Sequence, residues 1–244
     1  MKATFSIWRG DAQGGAFRPY PTEVSEGMVV LDAVHRIQAE QAGDLAVRWN
    51  CKAGKCGSCS AEINGLPRLM CMTRLSDLPL QEPVTIAPMK AFPVVRDLVT
   101  DVSWNFRVKK RIPPFKPRPP DAADGTWRIA QSDIERVQEF RKCIECFLCQ
   151  DVCHVLREHR LHEQFVGPRF LTYVAALEMH PLDTGDRVVE LKKGNGIGFC
   201  NITKCCTRVC PEEINITDNA IIPLKERVID RFYDPLTRLL RVFR

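Results

Sequence analysis

Several features that define other classes of protein are missing from this sequence of 244 residues. No run approaches the roughly 18 to 20 apolar residues that span a bilayer. No tract of Lys and Arg alternates with aromatic residues as a nucleic-acid groove would require. The start, MKATFSIWRG, has neither the apolar core of a signal peptide nor an Arg- and Ser-rich transit stretch. We therefore expect the chain to stay where it is made, in the cytoplasm of a prokaryote.

Composition and charge are otherwise those of a globular protein with one or two domains. The 35 basic and 30 acidic side chains leave a formal net charge of +5. This small excess indicates a weak preference for docking on an acidic partner or a membrane surface.

Twelve cysteines stand out against this background. A reducing cytoplasm disfavours disulfides, so this number of cysteines favours metal binding. They fall into three groups of four along the sequence, and each group predicts one metal centre.

The sequence predicts an α+β protein built from two domains. Residues 1–108 have the pattern of a β-grasp domain: a hairpin (ATFSIW and GAFRPYPTEV), a helix at MVVLDAVHRIQAE, a strand at LAVRW, a second hairpin turning at Asn64-Gly65, and a last strand at VTIAP. The prolines in residues 109–131 predict an extended connection. Residues 132–244 have the pattern of an all-α domain.

Two sequence signals predict helix starts in this second domain. Ser132 and Glu135 have the spacing of a capping box before an apolar-periodic run. Thr217 or Asp218 is predicted to cap the last long helix, with a kink at Pro223.

The first group of cysteines predicts a [2Fe–2S] cluster. Cys51, Cys56 and Cys59 are spaced as C-x4-C-x2-C, the plant-type pattern, and eleven residues separate Cys59 from Cys71. Glycines in the loop allow the backbone to wrap closely and direct N–H groups at the sulfurs. A zinc knuckle, in which C-x2-4-C normally occurs twice, is the weaker alternative.

The other two groups repeat a single spacing. The run from Cys143 to Cys153 is C-x2-C-x2-C-x3-C, in which the fourth cysteine of two-cluster ferredoxins binds the other cluster. When the same spacing is counted from Cys200, it ends at Cys210, but the second of its four cysteine positions is occupied by Thr203. We therefore predict a complete [4Fe–4S] cluster beside a [3Fe–4S] cluster of relatively high potential, which lacks one thiolate. The predicted ligands are Cys143, Cys146, Cys149 and Cys210 for the first, and Cys153, Cys200 and Cys206 for the second.

Cys205 is left without an assignment. It could take the place of Thr203, but its neighbour Cys206 is already used, and adjacent side chains seldom point at one small target. We interpret Cys205 as a buried, inert thiol.

Over nearly the whole chain, the sequence resembles the iron–sulfur subunit of succinate dehydrogenase and fumarate reductase. The segments that show the resemblance are CKAGKCGSC, RDLVTD, CIECFLCQDVC, FVGPRF and CCTRVCPEEIN. The resemblance implies a peripheral position on the cytoplasmic face of the membrane. The subunit would lie between an FAD-containing dicarboxylate dehydrogenase subunit and an anchor that binds quinone and possesses, in some relatives, haem b. Electrons would pass from flavin through [2Fe–2S], [4Fe–4S] and [3Fe–4S] to quinone, with no dicarboxylate chemistry and no catalytic residue on this chain.

The sequence departs from that family near the third cluster. Many relatives have Pro after the cysteine equivalent to Cys153, then a Trp pair, and His after the cysteine equivalent to Cys200. The corresponding positions here are held by His154, Arg157, Glu158 and Asn201. The family's quinone pocket is therefore not carried over. His154 could donate a proton to reduced quinone, although an ordinary surface or hydrogen-bonded histidine is the more frequent case.

Two further hypotheses stay open alongside a succinate:quinone oxidoreductase. The same subunit could serve a fumarate reductase, or the chain could be a freestanding multi-cluster ferredoxin, which its length, basic charge and proline-rich segment disfavour. The final segment, RFYDPLTRLLRVFR, predicts either a helix at the membrane interface or an ordinary amphipathic packing helix.

Overall fold

The N-terminal part of the chain folds around one twisted sheet. The structure is a computed structural model that describes residues 1–235, and within them the sheet has seven strands. They are β1 (Lys2–Asp11), β2 (Gly14–Glu23), β3 (Ser60–Ile63), β4 (Leu66–Leu69), β5 (Val84–Ala87), β6 (Val94–Arg96) and β7 (Val99–Thr100). β1 pairs antiparallel with β2 and parallel with β5, which continues the sheet to β3 and β4.

Helix α1 (Val30–Glu40) covers one face of this sheet. Its residues Leu31, Val34 and Ile37 recur at helical spacing and are fully buried, as are Phe5 and Ile7 on alternate positions of β1. The sheet, the helix and the first hairpin confirm the predicted β-grasp arrangement of an α+β fold.

The second hairpin turns where its sequence predicts. Asn64 and Gly65 both have positive φ, at 48° and 76°, as a type I′ turn requires. The turn pairs Ile63 with Leu66, and this register returns the chain towards Cys71.

Two strand predictions need correction. LAVRW is not a strand: the Ala46 N–H donates to Asp97 Oδ2 at 2.9 Å, and the Ala46 carbonyl accepts from the Leu98 N–H at 3.2 Å. A buried carboxylate therefore holds this segment in place of a strand ladder. VTIAP does form β5, but it is not the last strand, because β6 and β7 follow it.

The rest of the described chain is helical. Its helices are α2 (Ser103–Arg111), α3 (Gln131–Gln138), α4 (Leu148–Asp151), α5 (His154–Arg157), α6 (Gly167–Glu178), α7 (Val188–Lys193), α8 (Cys205–Arg208) and α9 (Ile222–Phe232), with 3-10 turns at Glu139–Lys142 and Ile197–Phe199 and a π-helical turn at Ile216–Ile221. Helix α6 runs through the core and buries Phe170, Leu171 and Val174. Within residues 1–235, no helix is long and apolar enough to cross a membrane.

The predicted helix caps are wrong. Helix α3 begins after Ala130 without a side-chain cap, which places Ser132 inside its first turn. The π-helical turn before α9 begins after Asn215, also without a side-chain cap, so Thr217 lies within the helical segment. Pro223 occupies the first turn of α9, where its missing N–H leaves the fewest hydrogen bonds unmade.

The middle of the predicted connection, residues 109–131, is the proline-rich segment, which begins after α2 ends at Arg111. Residues 112–120 form no helix and no strand ladder. The fully buried Arg187 holds them by donating from Nε to the Pro113 carbonyl at 2.9 Å and from Nη2 to the Pro114 carbonyl at 2.6 Å. Its charge is balanced by Asp183, 2.9 Å away.

The sheet and the helical part share buried contacts. The Ala91 N–H after β5 donates to Asp151 Oδ1 of α4 at 2.9 Å, and Arg157 of α5 pairs with Glu62 of β3. Helix α2 extends across the predicted domain boundary at residue 108. The predicted amphipathic tail spans residues 231–244: its first two residues end α9, and its part from residue 236 onwards lies outside the described residues.

Candidate iron–sulfur centres

The first four cysteines meet beside the sheet. Cys51 is exposed, whereas Cys59 and Cys71 are buried. The N–H groups of Ala53 and Lys55 point at the Cys51 sulfur, at 3.3 and 3.4 Å. A loop that directs its N–H groups at a sulfur stabilises negative charge there.

The pKa values of these thiols reflect their different surroundings. Burial raises the pKa of Cys59 to about 12, and the neighbouring Cys71 and Cys56 add to the shift. Although burial opposes it, hydrogen bonds involving Ser58 and Cys51 lower the pKa of Cys56 to about 7. These mutual influences place the four sulfurs around one small region.

The second centre is a cavity enclosed by thiols. This space lies among the short helix α4, the start of α6 and the chain before the π-helical turn. Cysteines from both runs line it, together with apolar residues and Arg169. The lining cysteines are Cys143, Cys146, Cys149 and Cys210.

A third cavity lies beside the second. The lining includes His154, Thr203 and Thr217, and the Cys206 sulfur lies 3.5 Å from the Thr217 hydroxyl. The lining cysteines are Cys153, Cys200, Cys205 and Cys206. The structure therefore brings together the cysteines that the spacing groups, including the exchange between the two runs.

The two runs also repeat a backbone conformation. Each follows a 3-10 turn, and the second and fourth residues after the first cysteine have positive φ. In the first run these are Glu145 (55°) and Phe147 (62°), and in the second Ile202 (62°) and Lys204 (60°). Left-handed residues alternating with right-handed ones turn successive N–H groups towards one concavity, which attracts anions. Positive φ is strained for a β-branched residue such as Ile202. The surrounding structure must therefore hold this run in its conformation.

Thr203 and Cys205 can be placed by this repeat. Thr203 occupies the slot that Cys146 fills in the first run, and its hydroxyl donates to the Cys205 sulfur at 3.3 Å. Cys205 is the first residue of α8, just as Leu148 is the first residue of α4. Cys205 is half-buried and lines the third cavity, which corrects the prediction of a buried thiol.

The buried thiols fit an iron–sulfur cluster better than an empty core. Burial raises the pKa of Cys146 and of Cys153 to about 12, and of Cys206 to about 11. A coordinating metal removes those protons outright, so iron would supply the positive charge that these sites lack. Within residues 1–235 no three His, Cys, Asp or Glu side chains converge on a point that could hold a single metal ion. The cysteines surround open space instead, as the ligands of a cluster of several atoms do.

The three centres follow one another in space. A Cβ added to Gly57, in the loop of the first centre, would lie 2.5 Å from the Cys146 Cα of the second. The Ser60 hydroxyl also donates to the Cys146 carbonyl at 2.8 Å. Cys206 of the third cavity is close enough to raise the pKa of Cys149 in the second, although burial is the larger cause. The order is therefore first, second, third.

Comparison with known proteins places the chain in a family. A family model described as a 2Fe-2S iron-sulfur cluster binding domain matches residues 4–107, and one described as a 4Fe-4S dicluster domain matches residues 139–214. The fumarate reductase iron-sulfur subunit of Mycobacterium tuberculosis is 34% identical over 206 residues, covering 82% of this chain and 81% of that protein. The corresponding subunit of Escherichia coli O157:H7 is 30% identical over 207 residues, covering 84% and 82%.

A solved structure extends this likeness. A chain of the Mycobacterium smegmatis Sdh1 complex in the apo form matches with a TM-score of 0.92 and 61% identity, covering 96% of this chain and 98% of that one. This chain is an iron–sulfur subunit of the succinate dehydrogenase and fumarate reductase family. The iron–sulfur subunit has an electron-transfer role in an oxidoreductase complex.

Arg169 is a site residue of this iron–sulfur subunit that the sequence reasoning missed. It lines the second cavity and pairs with Glu145, which lies between Cys143 and Cys146. The signal was present in FVGPRF, where one charged residue stands in an apolar helix start.

His154 lies at the rim of the third cavity of the iron–sulfur subunit. It is half-buried at the first residue of α5 and lines the cavity with Cys153. Its ring centroid is 6.3 Å from that of His159. Arg157, one turn further on, points to Glu62 of the sheet.

Proposed function

We propose that this subunit passes electrons from an FAD-containing dicarboxylate dehydrogenase subunit to quinone at a membrane anchor, as part of a succinate:quinone oxidoreductase of the respiratory chain and the tricarboxylic acid cycle. The observation that carries the proposal is the continuous order of three cysteine-lined centres within one chain. Iron–sulfur clusters supply one-electron chemistry when bound. The proposed ligands are those predicted from spacing: Cys51, Cys56, Cys59 and Cys71 for [2Fe–2S], Cys143, Cys146, Cys149 and Cys210 for [4Fe–4S], and Cys153, Cys200 and Cys206 for [3Fe–4S].

The residues between the centres keep them close. Gly57 allows the first loop to touch the backbone of Cys146, and the Ser60 hydrogen bond holds that contact. Lys55 of the first loop also forms an ion pair of 2.8 Å with Glu212, which follows Cys210 and lines the second cavity. Electron tunnelling falls steeply with distance, so these contacts favour transfer between the centres.

The two domains of the chain would contact different partner subunits. Residues 1–108 would face the flavoprotein through the exposed loop at Cys51, and residues 132–244 would face the anchor through the third centre, with residues 109–131 connecting them. Thr203 in place of a fourth thiolate supports [3Fe–4S] at that end, since a missing ligand favours a missing iron. The subunit would then be peripheral, on the cytoplasmic face of a prokaryotic membrane, with any haem b on the anchor.

The direction of succinate oxidation is supported by the degree of likeness. Identity to a chain of the Sdh1 complex is 61%, against 34% to the fumarate reductase subunit of M. tuberculosis. A fumarate reductase subunit is the second candidate, because several relatives have that name.

An anaerobic preparation of the complex tests this proposal. Iron and sulfide analysis should give about nine irons for this chain, the total for [2Fe–2S], [4Fe–4S] and [3Fe–4S], and EPR of the oxidised protein should show a [3Fe–4S] signal. Succinate should reduce the first and third centres, and quinone should reoxidise them. Zinc in place of iron would refute the cluster assignment. Reduction by quinol but not by succinate would favour fumarate reductase, and purification without a flavoprotein would favour a freestanding ferredoxin.

A further inference from the structure

One buried charged side chain faces the second cavity without a complete set of partners. The Arg169 side chain is 7% exposed, and its Nη2 donates to Glu145 Oε1 at 2.6 Å. Its Nε is buried and has no hydrogen-bond partner among residues 1–235. Arg169 lines the same cavity as Cys143 and Cys146.

Two aromatic rings and an acidic partner surround the guanidinium of Arg169 and restrict its rotation. Its Cζ lies 5.5 Å from the centroid of Tyr173 and 5.7 Å from that of Phe170. Glu145 in turn is fixed by Lys109, whose Nζ lies 2.5 Å from the same carboxylate oxygen. Because a guanidinium is planar, fixing Nη2 and the plane also fixes the direction of the Nε–H bond.

A buried N–H without a partner is unfavourable, and a buried cationic one more so. The cavity lining contains oxygen acceptors on Thr172 and Glu212, but neither accepts from this N–H in the described part of the chain. Thiolate and sulfide sulfurs in that cavity would be acceptors with negative charge, which gives the strongest type of hydrogen bond. The orphaned N–H is therefore explained if it faces a cluster.

We propose that Arg169 donates its Nε–H to a sulfur of the cluster held by Cys143, Cys146, Cys149 and Cys210, and thereby raises the reduction potential of that cluster. The inference rests on the ligand set given under the proposed function. Reduction adds one electron and one negative charge to the cluster, while the guanidinium keeps its proton. A cationic donor stabilises the reduced form more than the oxidised form, and hydrogen bonds and net charge are quantities that set such potentials. Arg169 is therefore a tuning residue, separate from the ligands.

The test is a redox titration of the [4Fe–4S] centre in the purified complex, followed by EPR. For Arg169→Met we expect the equilibrium constant for reduction to fall about tenfold, which is about 59 mV for a one-electron couple. The matched control is Lys109→Met, which removes a charge paired to the same carboxylate but does not touch the cavity. Its side chain is 41% exposed, so we expect a clearly smaller change.

A double variant separates the hydrogen bond from the charge. Glu145→Gln with Arg169→Met has the net charge of the wild type, so a lowered potential there reports the lost N–H donor. Arg169→Lys keeps the charge in a side chain that lacks the Nε–H. If Arg169→Met does not retain the cluster, Arg169→Lys serves in its place: pulsed EPR in D2O should then show the loss of one exchangeable proton coupled to the cluster.

Three outcomes would overturn the inference: equal shifts for Arg169→Met and Lys109→Met, a wild-type potential in the charge-matched double variant, or an unchanged exchangeable proton in Arg169→Lys. Each of these leaves a [4Fe–4S] signal in the wild type. Absence of that signal from the wild type would instead refute the ligand set of the proposed function.

Discussion

The ion pair between Glu62 and Arg157 should be one of the stronger connections between the two parts of the subunit. The Glu62 side chain in β3 is 1% exposed and the Arg157 side chain in α5 is 15% exposed. Lys90 reaches the same carboxylate at 3.4 Å, but it is 55% exposed. Replacing Arg157 with alanine would leave a buried carboxylate with only this partial compensation.

The expected cost follows from that burial. Removing one partner of a buried ion pair costs about 3 to 5 kcal/mol, and we expect the lower end, about 3 kcal/mol, because Lys90 remains. For a protein of this size, 1 kcal/mol lowers the unfolding midpoint by about 2 to 4 °C, so Arg157→Ala should lower it by about 6 to 12 °C. Adding Lys90→Ala should lower it further.

The matched control is the exposed pair of the same residue types on α1. Arg36 and Glu40 are one helical turn apart with a separation of 3.6 Å, and such pairs contribute about 0.3 to 0.5 kcal/mol. Anaerobic thermal unfolding at one scan rate, followed by the visible circular dichroism of the clusters, compares Arg157→Ala with Arg36→Ala. Midpoints within one or two degrees of each other would refute the reasoning.

The same variant should have a pH dependence of known sign. Burial, together with the charge of Glu62, raises the pKa of Asp151 to about 7, and Arg157 opposes the rise. For a carboxyl whose folded pKa exceeds its unfolded value, the stabilising contribution is complete below about pH 4 and is lost as pH rises through 7. Loss of Arg157 raises this pKa further, so the destabilisation should be larger at pH 8 than at pH 5.5. An equal loss at both values would contradict the coupling of the three side chains.

Three further substitutions test the centres. Gly57→Ala places a Cβ against Cys146, so we expect slower reduction of the second centre by the first in freeze-quench EPR. Gly65 also has positive φ, but a Cβ there would meet no atom of the described residues within 4 Å, so Gly65→Ala should leave that rate unchanged. Equal effects of the two substitutions would count against the contact. Thr203→Cys should convert the third centre to four irons with a lower potential, and a persistent three-iron EPR signal would contradict the slot assignment. If His154 donates a proton to reduced quinone, His154→Gln should slow quinone reduction with succinate while leaving the EPR of the third centre intact. An unchanged rate would make His154 an ordinary surface or hydrogen-bonded histidine.

Much of the fold and of the candidate centres could be predicted from the sequence, because the relevant signals are local. Asn64-Gly65 predicts a hairpin since both positions accept positive φ. The face formed by Leu31, Val34 and Ile37 depends only on helical periodicity. Cysteine spacing restricts which thiols reach one small cluster, so it predicted which cysteines would be neighbours, including Cys210 beside the earlier run.

Predictions that relied on short-range capping and strand signals were less successful. Ser132 lacks the cap position because the helix starts two residues earlier, after Ala130. LAVRW has strand-like composition, yet the carboxylate of Asp97, about fifty residues further on, takes the Ala46 N–H. A partner that far along the chain leaves no trace in the local pattern.

The twelve cysteines and their spacing by themselves determined the kind of chemistry, because ligand type and reach along the chain are local properties. Only the tertiary structure decided how the centres connect and what surrounds them. The close approach of Gly57 to Cys146 and the pairing of Arg157 with Glu62 join residues distant in sequence. Such contacts arise from the packing of whole helices and strands against one another. Burial then sets the strength of the electrostatic interactions between their charged side chains.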